Sequence, residues 1–236
     1  MHNRYMDSTY RKRRIFSFLV VMIGFVIIIT INSPIADNVS MQKAEFGNAS
    51  DLATTALKKL LVKGRAPKTD YSREMFGSGW SSTKGCDARN LILNRDMKNV
   101  VVDSKCNVMS GTLSDPYTGG TIQFKRSSST SSAVQIDHVV ALSDAWQKGA
   151  QQLKQEERTA MANDPLELIA VDGPSNVQKG DGDAATWLPA SKSFRCQYIA
   201  RQIAVKTKYK LWVTQSEYKA METILAKCPG QLLPTP

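Results

Sequence analysis

The chain of 236 residues contains two histidines. His2 precedes a long apolar run, so a domain following that run has one, His138, in Gln135-Ile136-Asp137-His138-Val139-Val140. An imidazole ionises near pH ~6.5, which makes His138 the natural general base for chemistry at neutral pH. Asp137 stands beside it. Neighbours on a regular strand leave on opposite faces, so the two serve one site only at a strand end. The plain alternative is a histidine satisfied by a backbone carbonyl. Downstream, Leu166-Glu167-Leu168-Ile169-Ala170-Val171 reads as a short apolar strand. A turn, Asp172-Gly173-Pro174, leads from it into Ser175-Asn176-Val177-Gln178-Lys179-Gly180-Asp181. A carboxylate, an imidazole, an amide and an ammonium thus fall on two strands and one helix start, as acid–base or phosphate chemistry would require.

Several elements must position these groups. Residues 134–140 alternate, with Val134, Ile136 and Val139 on one side and Gln135 and Asp137 on the other, which predicts a strand with one polar face. Residues 141–154 and 156–162 read as helices broken near residue 155, and Ser175 as a helix cap. Residues 194–208 and 216–227 read as longer helices. Upstream, Ala53, Ala56, Leu57, Leu60 and Leu61 form a helical stripe capped by Ser50 or Asp51. Residues 63–85 are irregular and 86–99 helical. Short strands are expected at 100–102 and 121–124, with a turn at 114–120 and a flexible loop at 127–132. No internal repeat is present. One α+β domain over residues 51–230 is the economical reading.

The N-terminus has another purpose. Arg4, Arg11, Lys12, Arg13 and Arg14 stand against one acid, Asp7, and residues 15–31 carry no charge. A basic cluster before an apolar run is the pattern of a secretory signal or signal anchor. As a helix that run would span about 26 Å, near the lower limit for crossing a bilayer. Residues 1–36 are therefore read as a signal peptide or a retained membrane anchor, 37–50 as a tether, and the remainder as secreted or held outside the membrane. Without residues 1–36 the formal charge falls from +10 to a mild excess of 26 basic over 20 acidic residues. An excess that small is compatible with nucleic acid or an anionic polymer and proves neither. The ordinary composition, 42% hydrophobic and 22% charged, argues against a largely disordered chain.

Cys86, Cys106, Cys196 and Cys228 all follow the apolar segment. An even number outside the cytoplasm predicts two disulfides, with three pairings open. The sequential pairing closes two short loops, each worth about 3–4 kcal/mol in the chain-entropy model. A zinc site is the rival, but no paired-cysteine knuckle exists.

Strand with Asp-His, second strand, turn, and Asn-x-x-Lys-Gly at a helix start is the layout of the ββα-metal nucleases. At these residues the chain resembles the HNH endonuclease superfamily. More closely, it resembles exported actinobacterial-type members of the DUF1524 family, related to the C-terminal nuclease domain of GmrSD-type restriction enzymes. The matching stretches include Gly64-Arg65-Ala66-Pro67-Lys68-Thr69, Gly85-Cys86-Asp87-Ala88-Arg89-Asn90 and Ser110-Gly111-Thr112-Leu113-Ser114-Asp115-Pro116-Tyr117. They continue through Ile136 to Trp146, Ala162-Asn163-Asp164-Pro165-Leu166, and Asn176 to Pro189. The resemblance implies an α+β fold with a ββα-metal, HNH-like core, elaborated by extra helices and a β-hairpin. It implies an endonuclease that cuts DNA with little sequence preference, with DNA favoured over RNA as partner; no protein partner is inferable.

By resemblance Asp137 and Asn176 would ligate a divalent ion, Mg²⁺ or Mn²⁺, and His138 would take the proton of the attacking water. HNH enzymes usually carry an Asn nine residues before the last motif Asn, where it holds the loop bearing the His. Here that position is Glu167, which accepts hydrogen bonds but, ionised, donates none. It would orient the His138 imidazole, join the metal shell, or mark a weakened site; Asn163 is a nearby substitute of poorer spacing. Lys179, Arg65 and Arg89 are the candidates for phosphate contacts. Trp146 and Trp187 fit base stacking or core packing. Two rival functions stand: a noncatalytic nucleic-acid or envelope-polymer binding module with a decayed site, and a metal-independent RNase.

Overall fold

The computed structural model describes residues 51–128 and 130–234. The predicted signal or anchor and the tether lie outside the described residues. Contacts divide the chain into Met1–Lys43 and Ala44–Pro236, and every described residue belongs to the second unit. Among the described residues, no helix is long and apolar enough to cross a membrane.

In chain order the elements are α1 (Ala53–Lys59), a 3₁₀ turn (Arg73–Phe76), β1 (Ser82–Thr83), β2 (Cys86–Asp87), α2 (Ala88–Asp96), β3 (Met97–Val102), β4 (Val108–Ser114) and β5 (Thr121–Lys125). There follow β6 (Val134–His138), α3 (Leu142–Gln147), α4 (Gln155–Ala162), β7 (Leu168–Asp172), α5 (Gly173–Lys179), α6 (Arg195–Lys208) and α7 (Gln215–Leu225). The result is a mixed α+β fold. β3, β4 and β5 form an antiparallel sheet, and β6 pairs antiparallel with β7, His138 opposite Leu168 and Asp137 opposite Ile169.

The β6–β7 pair lies between two apolar cores. Ile169 and Val171 join the larger core with α1, α3, α6 and α7. Leu168 and Ala170, with Val134 and Ile136, join the smaller one beneath α2 and the three-stranded sheet. Alternation along β7 explains the division, because successive side chains leave on opposite faces. A strand covered on both faces reads as a continuous apolar run, and Leu168-Ile169-Ala170-Val171 does so.

Several expectations were too coarse. The helix expected over 86–99 begins at Ala88, where Asp87 caps it by accepting a 2.7 Å hydrogen bond from the Asn90 amide. It ends at Asp96, and strand β3 takes over at Met97. The Val108–Ser114 strand was not expected, and it makes the sheet three-stranded. Of the two expected caps of α1, Ser50 lies outside the described residues and Asp51 is not the cap: the N-cap is Leu52, without a side-chain bond, and Leu61 is 60% exposed. At α5 the cap is Asp172, which accepts from the Ser175 amide at 2.9 Å and from the Ser175 hydroxyl at 2.7 Å. A Cβ on Gly173 would lie 2.0 Å from the Ser132 carbonyl oxygen, so only glycine allows α5 to start so close to the preceding loop.

The disulfides are Cys86–Cys106 and Cys196–Cys228, the sequential pairing. The first ties β2, directly before α2, to the loop between β3 and β4. The second ties the start of α6 to the end of α7.

Candidate active site

β6 sends Asp137 and His138 to opposite sides, so the two neighbours do not share an environment. His138 closes against the end of α4, where its Nε2 lies 2.9 Å from the Ala162 carbonyl oxygen. A carbonyl only accepts, so Nε2 carries the proton and Nδ1 is the bare nitrogen of the neutral ring. Trp80 lies parallel to the imidazole, centroids 5.8 Å apart and planes 6° from coplanar, an offset stack. The two rings border a cleft of about 300 Å³, whose other walls include Arg73, Glu74, Ser78 and Leu142. Burial pushes the His138 pKa down to about 3. The Ala162 carbonyl acts in the opposite direction, and the charges of Arg73 and Lys179 add to the lowering. At neutral pH the ring is uncharged.

The Asp137 carboxylate is buried on the other side, beneath α5. Its Oδ1 accepts from the Lys179 ammonium at 2.9 Å, and its Oδ2 accepts from the Tyr117 hydroxyl. Burial and the Asp137 charge hold the Tyr117 hydroxyl well above its ordinary pKa, so it remains a donor. Lys179 also donates to the His138 main-chain oxygen at 2.8 Å. Expected at a phosphate, it is wholly buried in this ion pair.

Glu167 is 0% exposed. It does not bond the imidazole; its Oε2 accepts from the Val140 amide at 3.2 Å, and its own carbonyl accepts from the Val139 amide at 2.9 Å. It therefore grips the chain directly after His138. Burial raises its pKa well above the ordinary carboxyl range. Protonated, it is a donor as well as an acceptor, as an amide would be. Its Oε1 has no hydrogen-bond partner among the described residues. Asn163, the considered substitute, instead accepts from the Ser81 amide at 2.7 Å and pins the chain beyond Trp80.

The donors expected to hold a divalent ion do not fit one in this arrangement. Both Asp137 oxygens are taken, one by an ammonium that already supplies the positive charge. The Asn176 amide donates to Gln135 Oε1 at 2.9 Å, two residues along the strand from Asp137. Among the described residues no three His, Cys, Asp or Glu side chains are grouped to hold a metal.

The two expected phosphate-binding arginines also have partners. Arg65 pairs with Asp144 at 2.8 Å and Asp183 at 2.7 Å. Those carboxylates belong to a buried network in which Lys148 meets Asp144, Asp183 and Glu217 at 2.7, 2.8 and 2.6 Å, and Lys206 meets Glu217 at 3.0 Å. Arg89 donates to the carbonyls of Ser131 at 3.3 Å and Val134 at 3.1 Å, bracing the loop before β6. Trp146 is core, its indole donating to the Thr69 carbonyl at 3.1 Å, and Trp187 packs on Tyr117 at 4.8 Å.

Arg73, Trp80 and Tyr117 were not singled out in the sequence as site residues. Tyr117 reads there as part of a turn. Arg73 and Trp80 fall in the segment taken as irregular surface, where no periodicity shows that one wall of a cleft is being built.

The family model described as GmrSD restriction endonucleases, C-terminal domain, matches residues 87–224. That span runs from the cap of α2 almost to the end of α7 and includes Asp137, His138, Glu167, Asn176 and Lys179. An "Uncharacterized secreted protein" of Arthroderma benhamiae is 37% identical over 183 residues, covering 76% of this chain and 86% of the relative. No solved structure matches. The chain belongs to the family of the C-terminal domain of GmrSD restriction endonucleases.

Proposed function

We propose that the protein is an exported endonuclease of HNH type, hydrolysing phosphodiester bonds of nucleic acid, DNA before RNA, with His138 as general base. The observation that carries this reading is the state of His138: a neutral ring at a cleft, its Nε2 proton fixed on Ala162 and its Nδ1 bare. In the reaction a water oxygen bonds to phosphorus as its proton passes to Nδ1. The bond to the leaving oxygen breaks, and that oxygen keeps the electron pair and takes a proton from solvent. The order β6, β7, α5 supports the HNH assignment, as does a family named for restriction endonucleases. Export is supported by the basic and apolar N-terminus, by the two disulfides, and by the description of the fungal relative as secreted. Residues 1–36 are either cleaved or kept as the anchor; N-terminal sequencing of the mature protein separates the two.

Mg²⁺ or Mn²⁺ dependence is the further proposal that the resemblance brings. Binding at Asp137 and Asn176 requires Lys179 and Tyr117 to release Asp137, and no step above depends on it. Saturation of Asp137 also favours a second reading, a noncatalytic nucleic-acid binding module with salt-sensitive binding and no turnover.

The test is nicking of supercoiled plasmid by the full, oxidised chain in Mg²⁺, Mn²⁺ or EDTA, beside His138→Ala. Nicking that disappears in His138→Ala, while the variant keeps its melting transition, supports the nuclease. A folded protein that cleaves neither DNA nor RNA in any arm leaves the binding module. Nicking confined to Mg²⁺ or Mn²⁺ supports the metal proposal, and nicking in EDTA rejects it.

A further inference from the structure

We infer that the wall of the His138 cleft formed by residues 73–80 is a nucleotide-binding subsite, in which Arg73 takes a phosphate and Trp80 receives a base. The inference rests on reading this cleft as the nuclease site, and it names the groups that would hold the substrate there.

Lys179, Arg65 and Arg89 are engaged with carboxylates or carbonyls, and none of them lines the cleft. Arg73 does line it, is exposed, and forms no ion pair among the described residues. An exposed guanidinium that has no ion pair among the described residues and lines the same cleft as the imidazole is suited to a phosphodiester oxygen, which it can bind through two parallel N–H groups.

Trp80 is half-buried and offset from His138, so part of the indole extends beyond the imidazole. A base stacks on such a ring whatever its identity, as a cleft without sequence preference requires. The wall is also held in place. Arg158 and Gln155 of α4 donate to the Met75 carbonyl at 2.7 and 3.1 Å, Phe76 is buried, and Asn163 fixes Ser81. Gly79 has a φ of +144° and nothing within 4 Å of where a Cβ would stand, which leaves its backbone open to a ligand.

Glu74 is the opposing group. It lines the same cleft, and its carboxylate is held below the ordinary range chiefly by its own backbone amide and by Ser72. A charge of that sign should weaken anion binding, so the two neighbours give opposite predictions.

The experiment is calorimetric titration of the full chain with thymidine 3′,5′-bisphosphate, which has no diester to cut, beside inorganic phosphate and thymidine. Arg73→Gln should weaken the bisphosphate about tenfold. Glu74→Gln should tighten it a few-fold. Trp80→Leu should weaken the bisphosphate and leave inorganic phosphate unchanged, with thermal melts confirming that each variant folds. Absence of bisphosphate binding to the parent protein, or an Arg73→Gln affinity within twofold of it, overturns the subsite. Plasmid nicking on the same samples separates the two readings. Binding that is lost in Arg73→Gln while the parent protein never nicks keeps the subsite and rejects the nuclease. Nicking that is unchanged in KM by Arg73→Gln keeps the nuclease and rejects the subsite.

Discussion

The Lys179 ammonium on α5 lies 2.9 Å from Oδ1 of Asp137 on β6, with both side chains out of solvent. The same ammonium holds the His138 carbonyl. One buried cation therefore holds both the Asp137 side chain and the His138 main chain, and so positions His138.

Removing one member of a buried pair strands the other, at a cost of about 3–5 kcal/mol. Lys179→Met should lose that much stability, and Asp137→Asn with Lys179→Met together should lose less than the two single losses added. Chemical denaturation of the four proteins in the cycle measures the coupling. Additive losses would show that the pair is not coupled.

His138 makes stability depend on pH in a defined direction. Between its unfolded value of 6.5 and its folded value of about 3, the unfolded chain binds the proton and the native ring does not. Stability is therefore complete above pH 6.5 and falls as the pH drops through this window, by on the order of 5 kcal/mol. Denaturation midpoints at pH 7.5 and 4.5 should diverge less in His138→Gln than in the parent. The same shift predicts that kcat/KM does not fall near pH 6.5 on protonation of this base, and a pH–rate profile tests that.

Glu167 works in the opposite sense. Its raised pKa keeps the native carboxyl protonated where the unfolded one, at 4.5, has ionised, so stability is lost as the pH rises above 4.5. Glu167→Gln keeps the shape and the acceptor for Val140 without that ionisation. It should stabilise the protein at pH 8 by on the order of 1–3 kcal/mol and change little at pH 4. Glu167→Ala, which also removes the acceptor, should destabilise at both pH values. Melting temperatures of the three proteins decide.

Each disulfide closes a short loop, over 20 residues for Cys86–Cys106 and 32 for Cys196–Cys228. Cys196→Ser with Cys228→Ser should cost about 4 kcal/mol by the chain-entropy argument and loosen α7 from α6. Hydrogen exchange should show the added opening in α7 before it appears in β6 or β7. Uniform opening across the chain would contradict that local role.

Much of the fold could be read from local signals. The apolar runs that became β6 and β7, the helices α6 and α7, and the turn into α5 all follow from periodicity and capping chemistry within a few residues. The Met97–Val102 and Val108–Ser114 strands were harder, because Asn99 and Cys106 adopt positive φ, and the strand pattern around them is broken. Arg65, Arg89 and Lys179 carry the right charge for phosphate, yet a charge in sequence says nothing of the carboxylate or carbonyl that will meet it from another segment.

The sequence by itself determined that His138 is the candidate base, that Glu167 stands at the start of the second apolar run and that Asn176 follows the turn after it. It also determined that four cysteines follow an export-type segment. Only the tertiary structure decided what each group faces. Strand alternation separates Asp137 from His138, α5 covers Asp137 with Lys179, and the 73–80 wall brings Trp80 against the imidazole and Arg73 to the same cleft. These are contacts between segments far apart in the chain, set by packing, and neither residue type nor spacing encodes them locally.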